Sequence, residues 1–214
     1  MATTLAISKY VNSLLEVEAR FSARQNNNDR FFTEWYEDLP DLSVTEKEHC
    51  DRIKERYFYH RHRGHIGKGI INQIAITPLL EMAGFYDPPF DIASEYPVQI
   101  ESVEVEEEKE VIYRGRIDTL VIQQNLWVLV IESKGKSFSV EAGMAQALTY
   151  MLNSPNLSQP TYGFISSGSF SIFVKALKGV IAEYQFSNDF SLYNRKENEL
   201  YDVLCVLKKI AQLF

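Results

Sequence analysis

Three short patterns in this 214-residue chain carry residues that could do chemistry, and all three fall between positions 114 and 150. In the first, Arg114-Gly115-Arg116-Ile117-Asp118, every second residue is charged, so Arg114, Arg116 and Asp118 share a face if the segment is extended. The second is the run from Leu126 to Lys134. Trp127, Leu129 and Ile131 alternate with Val128 and Val130, so both faces are apolar, as in a central strand buried on both sides. Glu132 and Lys134 then appear on the face expected for Val128 and Val130. The third is the pair Gln146 and Tyr150, spaced to share one face of a helix. A carboxylate and an ammonium at the end of a buried strand are costly to desolvate unless they are paired or bind a metal. Asp118 and Glu132 could together offer two hard oxygen ligands of the kind Mg²⁺ prefers.

The ordered set of a strand acid (Asp118), a strand E-x-K (Glu132-Ser133-Lys134) and a helix Q-x-x-x-Y (Gln146, Tyr150) resembles the PD-(D/E)XK nuclease superfamily. The order of GRID, ESK and QALTY looks most like the nuclease domain of type I restriction enzyme R subunits, over roughly residues 66–165. Two departures are visible. Ile117 stands where many members have Pro, and on the upstream helix, where many carry another Glu, the nearest acid is Glu81. The resemblance implies a restriction-endonuclease-like α/β fold, a mixed sheet flanked by helices with an αβββαβ core, and a Mg²⁺-dependent (or Mn²⁺-dependent) DNA endonuclease. It implies Asp118, Glu132, Lys134, Gln146 and Tyr150 as catalytic residues. The metal ligands would be Asp118, Glu132 and the backbone carbonyl of Ser133, whose side chain should point away. Lys134 would orient the attacking water and stabilise negative charge, because a lysine beside two carboxylates has no evident reason to lose its proton. Gln146 and Tyr150 would hydrogen-bond the site or the DNA backbone, and Arg114, Arg116 and Lys136 would meet phosphate nearby.

The elements that must position these groups follow from periodicity. Apolar residues at three- and four-residue spacing predict a helix over residues 5–21, and Ser43 with Glu46 makes a capping box that starts a second, running to about 63. A third helix spans roughly 70–84, bent or divided by Pro78 and ended by Gly84. Strands are expected over 95–105, 111–122 and 126–134, the last two joined by a short polar turn at 123–125. A helix over 138–152 follows, then strands over 161–166, 169–177 and 180–186, and a final amphipathic helix over 200–211. This divides the chain into a helical extension, residues 1–64, and a nuclease-like domain, residues 65–214.

Composition narrows the partners. Net charge is −7, which disfavours general affinity for nucleic acid, so contacts with DNA must come from local basic patches. One such patch is Arg52, Lys54, Arg56, Arg61, Arg63 and Lys68, of which Arg61 and Arg63 are the candidate phosphate contacts; the alternative is a solvated helix face neutralised by the acidic stretch before it. His60, His62 and His65 lack the further ligands of a metal site. Cys50 and Cys205 read as free thiols of a reducing cytoplasm, and no apolar run is long enough for a membrane span. Residues 133–137 imitate the end of a phosphate loop, but the required first Gly would fall at Val130. A chain of this length has no room for an ATP-driven motor, so it would act alone or beside restriction-system or motor subunits. One nuclease site cuts one strand, so double-strand cleavage would need a dimer or two binding events. The alternatives on the same fold are a non-catalytic DNA- or protein-binding module and a repair or transposition nuclease.

Overall fold

The computed structural model describes residues 3–7, 11–64, 66–104, 109–133 and 140–214. Its described residues form a mixed α/β architecture in which one nine-stranded sheet carries helices on both faces. The strands are β1 (Thr3–Ala6), β2 (Ala23–Gln25), β3 (Asp91–Glu104), β4 (Lys109–Gln123), β5 (Leu126–Ser133), β6 (Thr161–Ser166), β7 (Phe170–Leu177), β8 (Ala182–Phe186) and β9 (Phe190–Ser191). The helices are α1 (Leu14–Phe21), α2 (Val44–His62), α3 (Lys68–Ile71), α4 (Thr77–Met82), α5 (Val140–Leu152) and α6 (Leu200–Ala211). The sheet runs β1-β4-β5-β6-β7-β8-β2, with β3 paired to β4 and β9 to β7.

Two apolar layers hold the helices to the sheet. On one face Cys50, Ile53 and Tyr57 of α2, Leu79 and Leu80 of α4 and the stripe of α6 close over Val121, Leu129, Ile131 and Phe164. On the other, Val17 of α1 and Ala145, Leu148 and Met151 of α5 close over Leu120, Val130, Ile165 and Val174. The alternation of Leu129 and Ile131 with Val130 between these layers is what the two-faced apolar pattern predicted.

Local signals explain most boundaries. Ser43 and Glu46 make the reciprocal capping box, with the Ser43 N–H donating to Glu46 Oε2 at 2.7 Å and the Glu46 N–H to Ser43 Oγ at 3.2 Å. Pro78 does not divide the third helix. A π-helical turn, Asn72–Ile76, lies between α3 and α4, and this wider turn accommodates a residue with no N–H to donate. Gly84, at φ 88°, ends α4: its N–H reaches Glu81 O and the Phe85 N–H reaches Leu80 O, the Schellman pair. Gln124 and Asn125 both have positive φ, so a two-residue turn of the primed type joins β4 to β5.

Three expectations need correction. The first helix is shorter than predicted: Thr3–Ala6 form a strand parallel to Val111–Arg114 of β4, and α1 starts only after its N-cap Ser13. Residues 1–64, expected as a helical extension, therefore supply two strands to the common sheet, since β2 also pairs with β8. Finally, Val128 is not on the face of Val130. The β4–β5 register passes from Val121↔Leu129 to Ile122↔Trp127, so Val128 is a bulge residue and packs with Leu129 in the opposite layer.

Candidate functional site

The site begins at a fork in the sheet. Along one edge of β4, residues 111–114 pair with β1 and residues 119–123 pair with β5, while β3 runs along the other edge. Residues 115–118 lie between those two partners. Asp118 and Glu132 stand one step beyond the last β4–β5 pair, Thr119↔Ile131, and Ser133 continues beside Ser166 of the parallel strand β6. The GRID and ES segments are thus brought together where β5 parts from β4.

Asp118 is 7% exposed and Glu132 is fully buried. Each oxygen of Asp118 has its own work. Oδ2 accepts the Ser133 N–H at 2.8 Å and the Ser133 hydroxyl at 3.0 Å. Oδ1 accepts from the ammonium of Lys68, at the start of α3. The side chain of Ser133, expected to turn away, instead helps to fix Asp118.

Tyr150 closes the site from the α5 side. Its hydroxyl accepts from Gln146 Nε2 at 2.9 Å, so the predicted i, i+4 pair is a direct contact. Burial raises the pKa of this phenol, the Glu132 carboxylate and then Asp118 raise it further, and the hydrogen bonds with Gln146 and the Arg116 backbone oppose them. The tyrosine therefore stays protonated at neutral pH, and its hydroxyl senses both carboxylates. Gly115 explains itself here. A Cβ at that position would lie 2.5 Å from the Tyr150 hydroxyl oxygen, so only glycine lets the ring reach the fork.

The predicted basic residues separate into groups. Arg114 and Arg116 are exposed and, with Pro97, Val98, Gln99 and Gly115, line an open groove of about 600 Å³ along the β3–β4 edge. Arg61 lies over the ring of Tyr193 at 4.8 Å and Arg63 over Tyr59 at 3.6 Å; among the described residues neither touches Asp118 or Glu132. Lys134, Lys136 and His65 lie outside the described residues. Glu81 is exposed on α4, beside His49, Arg52 and Arg56, rather than at the site.

Lys68, at this corner, and Asn72, further along its helix, are not evident in the sequence. Lys68 looks there like one more member of a basic block, and its partner lies 50 residues further on. Asn72 follows Lys68 at i+4, and its buried Oδ1 has no hydrogen-bond partner among the described residues. The faint signal for both is their place on the helix that precedes the first strand of the core.

The donor set suits a hard divalent cation. Two buried carboxylates and the carbonyl of Ser133 would offer oxygen atoms alone, and Asp118 Oδ1 already faces a positive charge. Among the described residues no cluster of three or more His, Cys, Asp or Glu could hold a metal. A Mg²⁺ site made from two carboxylates and a backbone carbonyl does not need one. Among the described residues, too, no helix is long and apolar enough to cross a membrane. Compared with known proteins, the chain matches no family model and no curated protein sequence.

Proposed function

We propose that the chain is a Mg²⁺-dependent DNA endonuclease of the PD-(D/E)XK kind, similar to the nuclease domain of type I restriction R subunits, and that α4-β3-β4-β5-α5-β6 is its αβββαβ core. The observation that carries this reading is the meeting of Asp118 and Glu132 beside the buried Tyr150 hydroxyl, at the fork where β5 parts from β4. Buried like charges are costly, and a divalent cation relieves that cost.

In this reading Asp118, Glu132 and the Ser133 carbonyl hold the cation. When bound, the ion neutralises phosphoryl charge and lowers the pKa of a coordinated water. Ser133 holds Asp118 by two hydrogen bonds to Oδ2, which leaves Oδ1 as the coordinating atom. Tyr150, anchored by Gln146 and the Arg116 backbone, keeps its own proton to donate to a charged acceptor. Lys134, next in sequence after Ser133, orients the attacking water and stabilises negative charge. Arg114 and Arg116, two residues apart on one strand and therefore about 6.6 Å apart, supply phosphate contacts along the groove. Arg61 and Arg63 supply a second, more distant basic contact.

The Lys68–Asp118 ion pair favours a second reading, in which the corner is a structural ion cluster on a binding module. Cleavage of supercoiled DNA separates the two. The nuclease reading expects nicking only with Mg²⁺ or Mn²⁺, and a loss of roughly 10²-fold or more in Lys134→Ala. Undiminished cleavage by that variant, in protein free of contaminating nuclease, would overturn the assignment.

A further inference from the structure

Lys68 makes the contact with Asp118 that the proposed cation would need. Asp118 Oδ2 is taken up by two donors of Ser133, both from the strand that carries Glu132. Oδ1 is the oxygen with lone pairs to offer, and it is held by the Lys68 ammonium. An ammonium and a divalent cation cannot share that oxygen without strong like-charge repulsion. Lys68 is also able to leave, because its side chain is 41% exposed. It stands between Gly67 and Gly69 at the first turn of α3, so retraction into water disturbs no buried packing.

We propose that Lys68 is an internal counter-ion that competes with the divalent cation for Asp118 Oδ1, and so sets the affinity of the site for that cation. The proposal rests on the reading of Asp118 and Glu132 as metal ligands. It gives α3 a role opposite to that of an acidic residue on the same helix, which would add a ligand and strengthen ion binding. Here the helix weakens ion binding while keeping the carboxylate charge balanced when no ion is bound.

The test is calorimetric titration of the full chain with Mn²⁺ alone, for the parent, Asp118→Asn, Lys68→Met and Lys68→Arg, each checked for native circular dichroism. Equal binding by Asp118→Asn and the parent removes the metal site itself, and the proposal with it. If Asp118→Asn loses binding that the parent shows, Lys68→Met should bind Mn²⁺ about tenfold more tightly than the parent. Lys68→Arg, which retains the charge, should match the parent or bind more weakly. Unchanged or weaker binding by Lys68→Met overturns the competition while leaving the metal site standing, as does tightening by Lys68→Arg to the level of Lys68→Met. Should Lys68→Met fail to fold, Lys68→Gln keeps a donor to Asp118 without the charge. The same tightening is expected from it, and an unchanged affinity is equally decisive against the proposal.

Discussion

Among the described residues, two of the lysine–carboxylate corners are built from similar parts and differ in their surroundings. In one, Glu34 Oε1 accepts from Lys175 at 2.6 Å and from the Tyr162 hydroxyl at 2.7 Å. Both charged side chains are nearly enclosed, at 14% exposed for Glu34 and 16% for Lys175. Burial, with the adjacent Glu34 carboxylate and its hydrogen bond, raises the Tyr162 pKa far above its usual range. In the other corner, Asp118 is paired with Lys68 and Ser133, but a second carboxylate, Glu132, is buried next to it and the lysine is half in solvent. The first corner is neutral and closed. The second brings two buried carboxylates to one corner and leaves its lysine partly in solvent. A structural ion pair needs only the first arrangement, whereas the proposed cation site would use both carboxylates of the second.

Substitutions can break or sharpen this contrast, and the largest effect should be on turnover. Asp118→Asn should lower metal-dependent DNA cleavage on the order of 10³-fold, whereas Glu34→Gln should leave it within about threefold, given that mutations distant from a site usually act independently. Rates on supercoiled plasmid decide it, and a comparable loss in both variants would erase the distinction.

Stability should show the reverse order. Glu34→Gln strands Lys175 in a buried setting and should cost about 2 kcal/mol, a melting decrease of roughly 4–8 °C. Asp118→Asn removes attraction to Lys68 and repulsion from Glu132 together, so without added metal it should change Tm by less than about 2 °C. Thermal melts followed by circular dichroism measure both.

The fork itself is sharpened by Gly115→Ala. The new methyl must push the Tyr150 hydroxyl from its seat, at a cost of about 1–3 kcal/mol, and cleavage should fall with it. Tyr150→Phe should be milder, near 1 kcal/mol for the hydrogen bonds it removes. If Gly115→Ala is silent by calorimetry and in the cleavage assay, the tyrosine does not need its position. The smallest effect concerns the basic residues stacked on rings. Replacing Arg61 and Arg63 by Ala should flatten the salt dependence of DNA binding by about one log unit for each phosphate that is no longer neutralised. An unchanged slope returns them to a solvated helix face.

Much of the candidate site is legible in the sequence because its signals are local. Asp118, Glu132, Gln146 and Tyr150 lie on elements with clear periodicity, and α2, α5 and α6 carry their capping or apolar patterns within a few turns. The core order around them can be read for the same reason. What the sequence conceals is non-local or very short. β1 and β2 have four and three residues, too few for a period, and exist through pairing with β4 and β8. The bulge at Val128 arises from the match between two strands, which neither strand reveals alone. Lys68 and Glu34 look like ordinary surface charges until the fold brings up partners 50 and 141 residues away.

The central claim, that the Asp118–Glu132 fork is a cation site rather than a second structural ion pair, is tested most directly by four melting curves: parent and Asp118→Asn, each with and without Mg²⁺. Mg²⁺ at ten times its Kd should stabilise the parent by about 1.4 kcal/mol, a rise of roughly 2–4 °C. Asp118→Asn should melt close to the parent without Mg²⁺ and lose most of that rise. A clearly destabilised Asp118→Asn, with no Mg²⁺ shift in the parent, would contradict the account and make this corner the equivalent of Glu34 and Lys175.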